Sequence, residues 1–248
     1  MNQASKPSPA VVSALAPSGK LRAAINLGNP ILVGTGADGK PKGVSVDLAT
    51  ELAKRLGMLL ELVPFNAASK VVEAIGANSV NIGFYAIDPK RGEDTLFTGP
   101  YIMIEGGYLV TKDSPIKENA EVDRKNNRVV VGKGSAYNLF LTRELKNAAI
   151  VRAPTSPAVT DMFVHGKYEV AAGVKQQLEA DAKRILGLRL LDGRFMEIRQ
   201  AMATPQNRAA THDYLIAYVE EMKKSGFVAA ALTRHQIEDA EVAPAGTK

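Results

Sequence analysis

The sequence predicts an α/β protein. Three observations carry this: short apolar strands alternate with amphipathic helices along the chain; Val80 to Ile87 runs as a buried strand into helix-start chemistry at Asp88 and Pro89; and Arg128 to Lys146 repeats the order strand, glycine turn, helix. At 248 residues the chain is long enough for one large core or for two lobes of ordinary size.

Each element has its own signal. Met1 to Ser18 is Ala/Ser/Pro-rich without periodicity and reads as a flexible leader. It has no basic stretch followed by an apolar one, so it is not a secretion signal; either a signal was removed ahead of it or the protein stays in the cytoplasm. Lys20 to Asn26 is the first strand, Asn26 to Val33 a loop, and Gly36 to Gly43 a glycine-rich, hairpin-like turn. Ser45 to Leu56 is a helix with Leu48, Leu52 and Leu56 on one face, ended by Gly57. Met58 to Phe65 is the next strand and Ser69 to Ile75 a short helix.

The stretch from Val80 to Tyr101 holds the strongest chemical signal. Asp88 can cap free backbone N–H groups, Pro89 suits a first helical position, and Arg91 follows within the first turn. Free amides, a helix dipole and a fork-shaped cation together favour a carboxylate. The same residues also describe a surface arginine at an ordinary helix start. Tyr101 to Val110 is extended, with Glu105 alone among apolar residues and Gly106-Gly107 supplying backbone freedom. Glu105 is either turned to solvent or paired with a basic residue, or it receives a cationic group or hydroxyl of a ligand.

Further on, Ser135 is placed to cap a helix, Gly132 and Gly134 allow amides to face an anion, and Lys133 adds charge. Ala149 to Arg152 is a strand, Ser156-Pro157 opens a helix ended by Gly166, and Tyr168 to Gly173 is a buried strand. Thr204-Pro205 opens a helix with Leu215, Tyr218, Val219 and Met222 inward. A short apolar helix follows Gly226, and the tail from Glu238 reads as frayed.

Composition excludes more than it identifies. There is no cysteine, so disulfides and thiol chemistry are out, and the three histidines show no ligand spacing. No metal or cofactor is expected. No run is long enough for a membrane span. The net charge of +5 comes from residues 111–194, which hold 15 Lys/Arg against 10 Asp/Glu. Without tryptophan, and with basic residues not interleaved with aromatics, nucleic acid is not an expected partner.

Ile87-Asp88-Pro89-Lys90-Arg91, followed by Phe97-Thr98-Gly99-Pro100-Tyr101, resembles the signature of family 3 extracellular solute-binding proteins, the polar-amino-acid receptors of ABC importers. The similarity runs from about Gly19 to about Ala231. It implies a two-lobed type II periplasmic-binding fold with two crossover strands and a ligand cleft. The expected boundaries are a leader over 1–18, lobe 1 over 19–106, lobe 2 over 107–194, and a return to lobe 1 over 195–248.

By this resemblance Arg91 clamps a ligand carboxylate, Asn26 and Asn29 fill the first-loop positions, and Gly134 and Ser135, with Lys133, reach the carboxylate from the other lobe. Gly43-Val-Ser-Val-Asp47 matches the family's opening helix motif. The chain also departs from the pattern. Phe65 substitutes for an aromatic missing near Ala68, and Tyr85-Ala86 stands where a Ser/Thr pair is usual. Val174, beside Lys175 and Gln176, occupies the place of the Asp that pairs with an α-ammonium. The implied function is capture, by lobe closure, of a small carboxylate-bearing solute for an importer permease, by a periplasmic monomer without catalysis. Two other readings stay open: an enzyme similar to cyclohexadienyl dehydratases, and a sensory module not coupled to transport.

Overall fold

The computed structural model describes residues 7–93 and 95–247. They divide into two compact units, one formed by the described residues up to 103 together with those from 199 on, and the other by 104–198. The chain passes between them twice, once within a long strand and once on its return.

In unit 1, Ser8 accepts a hydrogen bond from the Val11 amide and Pro9 takes the first position of α1 (Pro9–Leu15). This departs from the leader expected through residue 18, whose first six residues lie outside the described ones. Its signal was the Ser-Pro pair ahead of Val11, Val12 and Leu15. The helix is held because Leu15 is fully buried and the Arg208 guanidinium donates to the Ala14 carbonyl, at 2.7 Å, and to that of Leu15.

β1 (Lys20–Asn26) follows, then the small hairpin of β2 (Gly34–Thr35) and β3 (Pro41–Lys42). Gly43 begins α2 (Val44–Leu56) at φ +139°, where an added Cβ would lie 2.2 Å from the Leu32 carbonyl oxygen; only glycine fits. α2 buries Val44, Leu48, Leu52 and Leu56 and ends at Gly57 in the left-handed region. β4 (Leu59–Phe65) pairs in parallel with β1 along its whole length, α3 (Ala68–Gly76) covers it, and β5 (Ile82–Ala86) lies on the other side of β1. A core of Ala24, Val71, Ala74, Ile75, Val80, Tyr85 and Ala203 joins α3 to the sheet.

β6 (Thr95–Thr111) is far longer than the extended segment expected from Tyr101, and it carries the chain into unit 2. There β7 (Arg128–Gly132), α4 (Ala136–Glu144), β8 (Ala149–Ala153), α5 (Val159–His165) and β9 (Val170–Val174) follow. β9 runs antiparallel to β6 and parallel to β7, which pairs in parallel with β8. The α5 N-terminus falls at Ala158 rather than Ser156. α6 (Lys175–Arg184) starts directly from β9, and β10 (Leu188–Leu190) closes the other edge of β6. α6 is absent from the sequence reading because it is strongly polar, burying only Leu178 and Asp181. Leu109, Val130, Phe163, Ala171 and Leu178 form the centre of this unit.

β11 (Met196–Pro205) returns the chain and pairs antiparallel with β5. α7 (Ala209–Lys224) begins four residues later than Pro205 and buries Leu215, Tyr218, Val219 and Met222 as the periodicity predicts. α8 (Phe227–Arg234) follows Gly226. The tail is not frayed: β12 (Glu241–Val242) pairs with Ile102 and Met103 of β6, and the Gly246 amide donates to Glu220 Oε2 at 2.9 Å. Backbone pairing to an edge strand is invisible to side-chain periodicity.

Candidate functional site

In unit 1 the end of β5 delivers Tyr85, Ala86, Asp88 and Arg91 in seven residues. Asp88 is an N-cap as expected, accepting from the Lys90 amide at 2.9 Å, but the element it starts is a single 3-10 turn, Pro89–Arg91, not a helix. No helix dipole therefore supports an anion here, and the work falls to the guanidinium. Arg91 is only 4% exposed. Its Nη1 donates to the Ala86 carbonyl at 2.8 Å, and Cζ lies 5.7 Å from the Tyr85 ring centroid. Burial pulls its pKa down to about 10, against the field of Asp88. Tyr85 is fully buried, its hydroxyl 3.0 Å from Thr95 Oγ1 and its ring edge-on to Phe97, and burial raises its pKa to about 12.

Asn26, Asn29 and Phe65 come together beside this group's strand. The Leu27 amide donates to the Phe65 carbonyl at 2.8 Å, and Gly28 packs so closely on Asn66 that a Cβ would meet its carbonyl oxygen at 2.8 Å. Asn26 Oδ1 accepts from the Gly28 amide, so this side chain shapes the loop. Asn29 is 8% exposed, and its Oδ1 is buried with no hydrogen-bond partner among the described residues. A buried acceptor left open in this way calls for a donor. Phe65 is half-buried against the α3 core.

In unit 2 the Gly132–Ser135 turn departs from expectation. Its amides are not left for an anion: that of Lys133 donates to the Ala153 carbonyl at 2.9 Å, that of Gly134 to Asn138 Oδ1 at 3.0 Å, and that of Ser135 to the Gly132 carbonyl. For Gly134 the cause is Asn138, whose own amide donates back to Ser135 Oγ at 3.0 Å, a reciprocal cap readable as Ser-x-x-Asn. The Lys133 side chain is exposed. What remains for an anion is the first turn of α4, where the Ala136 and Tyr137 amides have no intrahelical acceptor.

Glu105 lies on β6, next to Gly106, which pairs with Val174. Its carboxylate takes Lys175 Nζ at 3.1 Å and Arg194 Nη1 at 3.0 Å, so of the two readings of this acid the ion-paired one describes the structure. Lys175 first, then Arg194, holds its pKa below the ordinary glutamate value. Val174 caps α6 with no polar atom, and Gln176 is half-buried in the first turn. The partners of Glu105 were missed in the sequence because they sit 70 and 89 residues away. Among the described residues no group of three His, Asp or Glu side chains could hold a metal, and no helix is long and apolar enough to cross a membrane.

The profile of the bacterial extracellular solute-binding proteins, family 3, matches residues 21–236, and the chain belongs to that family. No functionally curated protein gives a significant match. Solved structures share the fold. The L-cysteine solute receptor of Neisseria gonorrhoeae superposes with a TM-score of 0.80 at 24% identity, over 92% of this chain and 94% of that one. A mutant of ArgBP from T. maritima gives 0.78 at 18%, over 92% and 100%. An ancestral amino acid-binding protein, a precursor of cyclohexadienyl dehydratase, gives 0.75 at 21%, over 90% and 98%.

Proposed function

We propose that this protein is the periplasmic receptor of an ABC importer and that it captures a small carboxylate-bearing solute by closing its two units. The observation that carries the proposal is Arg91, a guanidinium withdrawn from water at the end of β5 and oriented by the Ala86 carbonyl and the Tyr85 ring. A planar, always-charged fork in a desolvated setting suits a carboxylate. Asn29 Oδ1 supplies an acceptor for a hydroxyl or amide donor of the same solute. From unit 2, Ser135 and the first-turn amides of α4 complete the anion's shell on closure.

The solute has a weak cationic group or none. The Val174 side chain offers an ammonium no polar atom, Lys175 beside it repels one, and Glu105 is already shared by two cations. A buried ammonium left without its partner costs roughly 3–5 kcal/mol. An organic acid, or an atypical amino acid, therefore precedes the standard polar amino acids.

Binding rather than turnover is the proposed outcome. Glu105 is the acid that a dehydratase reading would use, and its lowered pKa keeps it ionised near neutrality, unable to donate a proton. A thermal-shift screen over organic acids and amino acids tests the ligand class. Incubation with prephenate or arogenate tests the enzyme reading; aromatic product would overturn the assignment as a receptor.

A further inference from the structure

We propose that unit 2 carries a second, separate site: a surface groove that binds a small carboxylate with an apolar tail. The groove, about 370 Å³, lies between the turn that follows α5 and the chain from Ile185 to Leu188. Its walls include Phe163, Val164, Tyr168 and Leu186. The described residues include three exposed large hydrophobics, and two of them, Val164 at 37% and Leu186 at 91%, line this one groove. Apolar side chains grouped around a concavity mark a binding surface more than scattered ones do.

The turn itself is built against the ordinary preference. The Tyr168 amide donates to the Phe163 carbonyl at 3.1 Å and the Lys167 amide to that of Val164 at 3.2 Å, the paired bonds of a Schellman cap. Such a cap wants glycine at its left-handed position, yet Lys167 occupies it at φ +47°. Gly166 stands one residue too early to serve, and it leaves room for the Tyr168 ring, which a Cβ there would meet at 2.1 Å and displace. The turn thus accepts a strained lysine while folding Tyr168 back on its own backbone. Asn78 and Gln236 hold the same position in like turns, so the conformation at Lys167 belongs to the cap, and the case for a ligand rests on the groove's lining.

The charge pattern defines the ligand. Lys167 lines the groove and makes no ion pair among the described residues, and no Asp or Glu lines it. The neighbouring Arg128 is committed: it pairs with Glu169 at 2.8 Å and its Cζ lies 4.7 Å from the Tyr168 ring centroid. One exposed lysine among mostly apolar lining residues fits one carboxylate on an aliphatic or aromatic body. Octanoate, with about ten heavy atoms, falls within what a cavity of this size admits.

The test uses the whole protein with octanoate as probe and propionate and octanol as controls, read by calorimetry and by methyl chemical shifts at Val164 and Leu186. Octanoate is expected to bind and move those methyls, with propionate and octanol much weaker, and to do so equally in Arg91→Lys. Lys167→Gly is expected to raise the Tm of the unliganded protein by relieving the turn while weakening octanoate about tenfold or more. Leu186→Ser weakens octanoate without lowering that Tm. Octanoate binding that is absent, unchanged in Lys167→Gly, or lost in Arg91→Lys would overturn the proposal.

Discussion

Lys175 Nζ lies 3.1 Å from Glu105 Oε2, and the same carboxylate holds Arg194 Nη1 at 3.0 Å through its other oxygen. One acid thus ties β6 to the start of α6 and to the segment that leads into β11. The Glu105 side chain is 33% exposed, so solvent screens the pairs, and Glu105→Gln should cost only about 0.5–1 kcal/mol in urea unfolding. Its lowered pKa means that the contribution is present above the unfolded glutamate value and fades as pH falls through the folded one. If the acid is structural, solute affinity and its pH dependence stay as in the wild type; a change in either would give Glu105 a ligand contact.

A second acid should add to the acid sensitivity. Asp123 accepts the backbone amides of Lys146, Asn147 and Ala148, at 2.7 to 3.1 Å, and these bonds, that of Ala148 first, hold its pKa down at about 2. The unfolded value is near 3.9, so the stabilisation is complete above that and lost as pH drops toward 2. Asp123→Ala is expected to cost about 1–2 kcal/mol at neutral pH and to flatten the pH dependence of stability below pH 5. Urea midpoints across pH 2.5 to 7 for both proteins check it.

Gly132 is fixed by crowding. A Cβ there would lie 2.7 Å from both Ser156 Oγ and the Tyr137 hydroxyl, and 2.8 Å from Ser156 Cα. Tyr137 is buried and cannot swing out. Gly132→Ala should destabilise by about 1–3 kcal/mol. Ser135→Ala, which loses the cap to Asn138 and the contact with the Tyr137 hydroxyl, should cost about 1 kcal/mol. Thermal unfolding of the two variants, compared directly, should show the glycine change as the larger.

The C-terminal strap predicts its own truncation effect. The Ala243 amide donates to the Tyr101 carbonyl at 3.2 Å, β12 pairs with Ile102 and Met103, and Gly246 satisfies Glu220. Removing residues 239–248 should lower stability by about 1–3 kcal/mol and speed amide exchange at Tyr101 to Met103. Unchanged exchange there would contradict the pairing.

How much was legible follows from where the information sits. β1 from Lys20 to Asn26, the Leu48-Leu52-Leu56 face of α2 and the Ser135 cap are local patterns, and the structure has them. α1 was announced by Ser8-Pro9 but lies in a composition that reads as a leader. α6 has too few apolar residues to show a face, and β12 is held by backbone bonds that no side chain advertises. At the candidate site, the sequence neighbourhood of Arg91 points to the Asp88 cap, and the structure has that cap. The engagement of the Lys133 and Gly134 amides, and the pairing of Glu105, depend on partners that only folding brings near.

The central claim is that Arg91 holds a solute carboxylate. Its most direct measurement is titration calorimetry of the best organic acid from the thermal-shift screen against wild type, Arg91→Lys and Arg91→Gln, with circular dichroism confirming that each is folded. The account predicts a loss of about tenfold or more for the lysine variant, which keeps charge but not the fork, and about a hundredfold or more for the glutamine variant. Equal affinity in all three, or a standard α-amino acid bound more tightly than any organic acid with its nitrogen held at Val174, would contradict it.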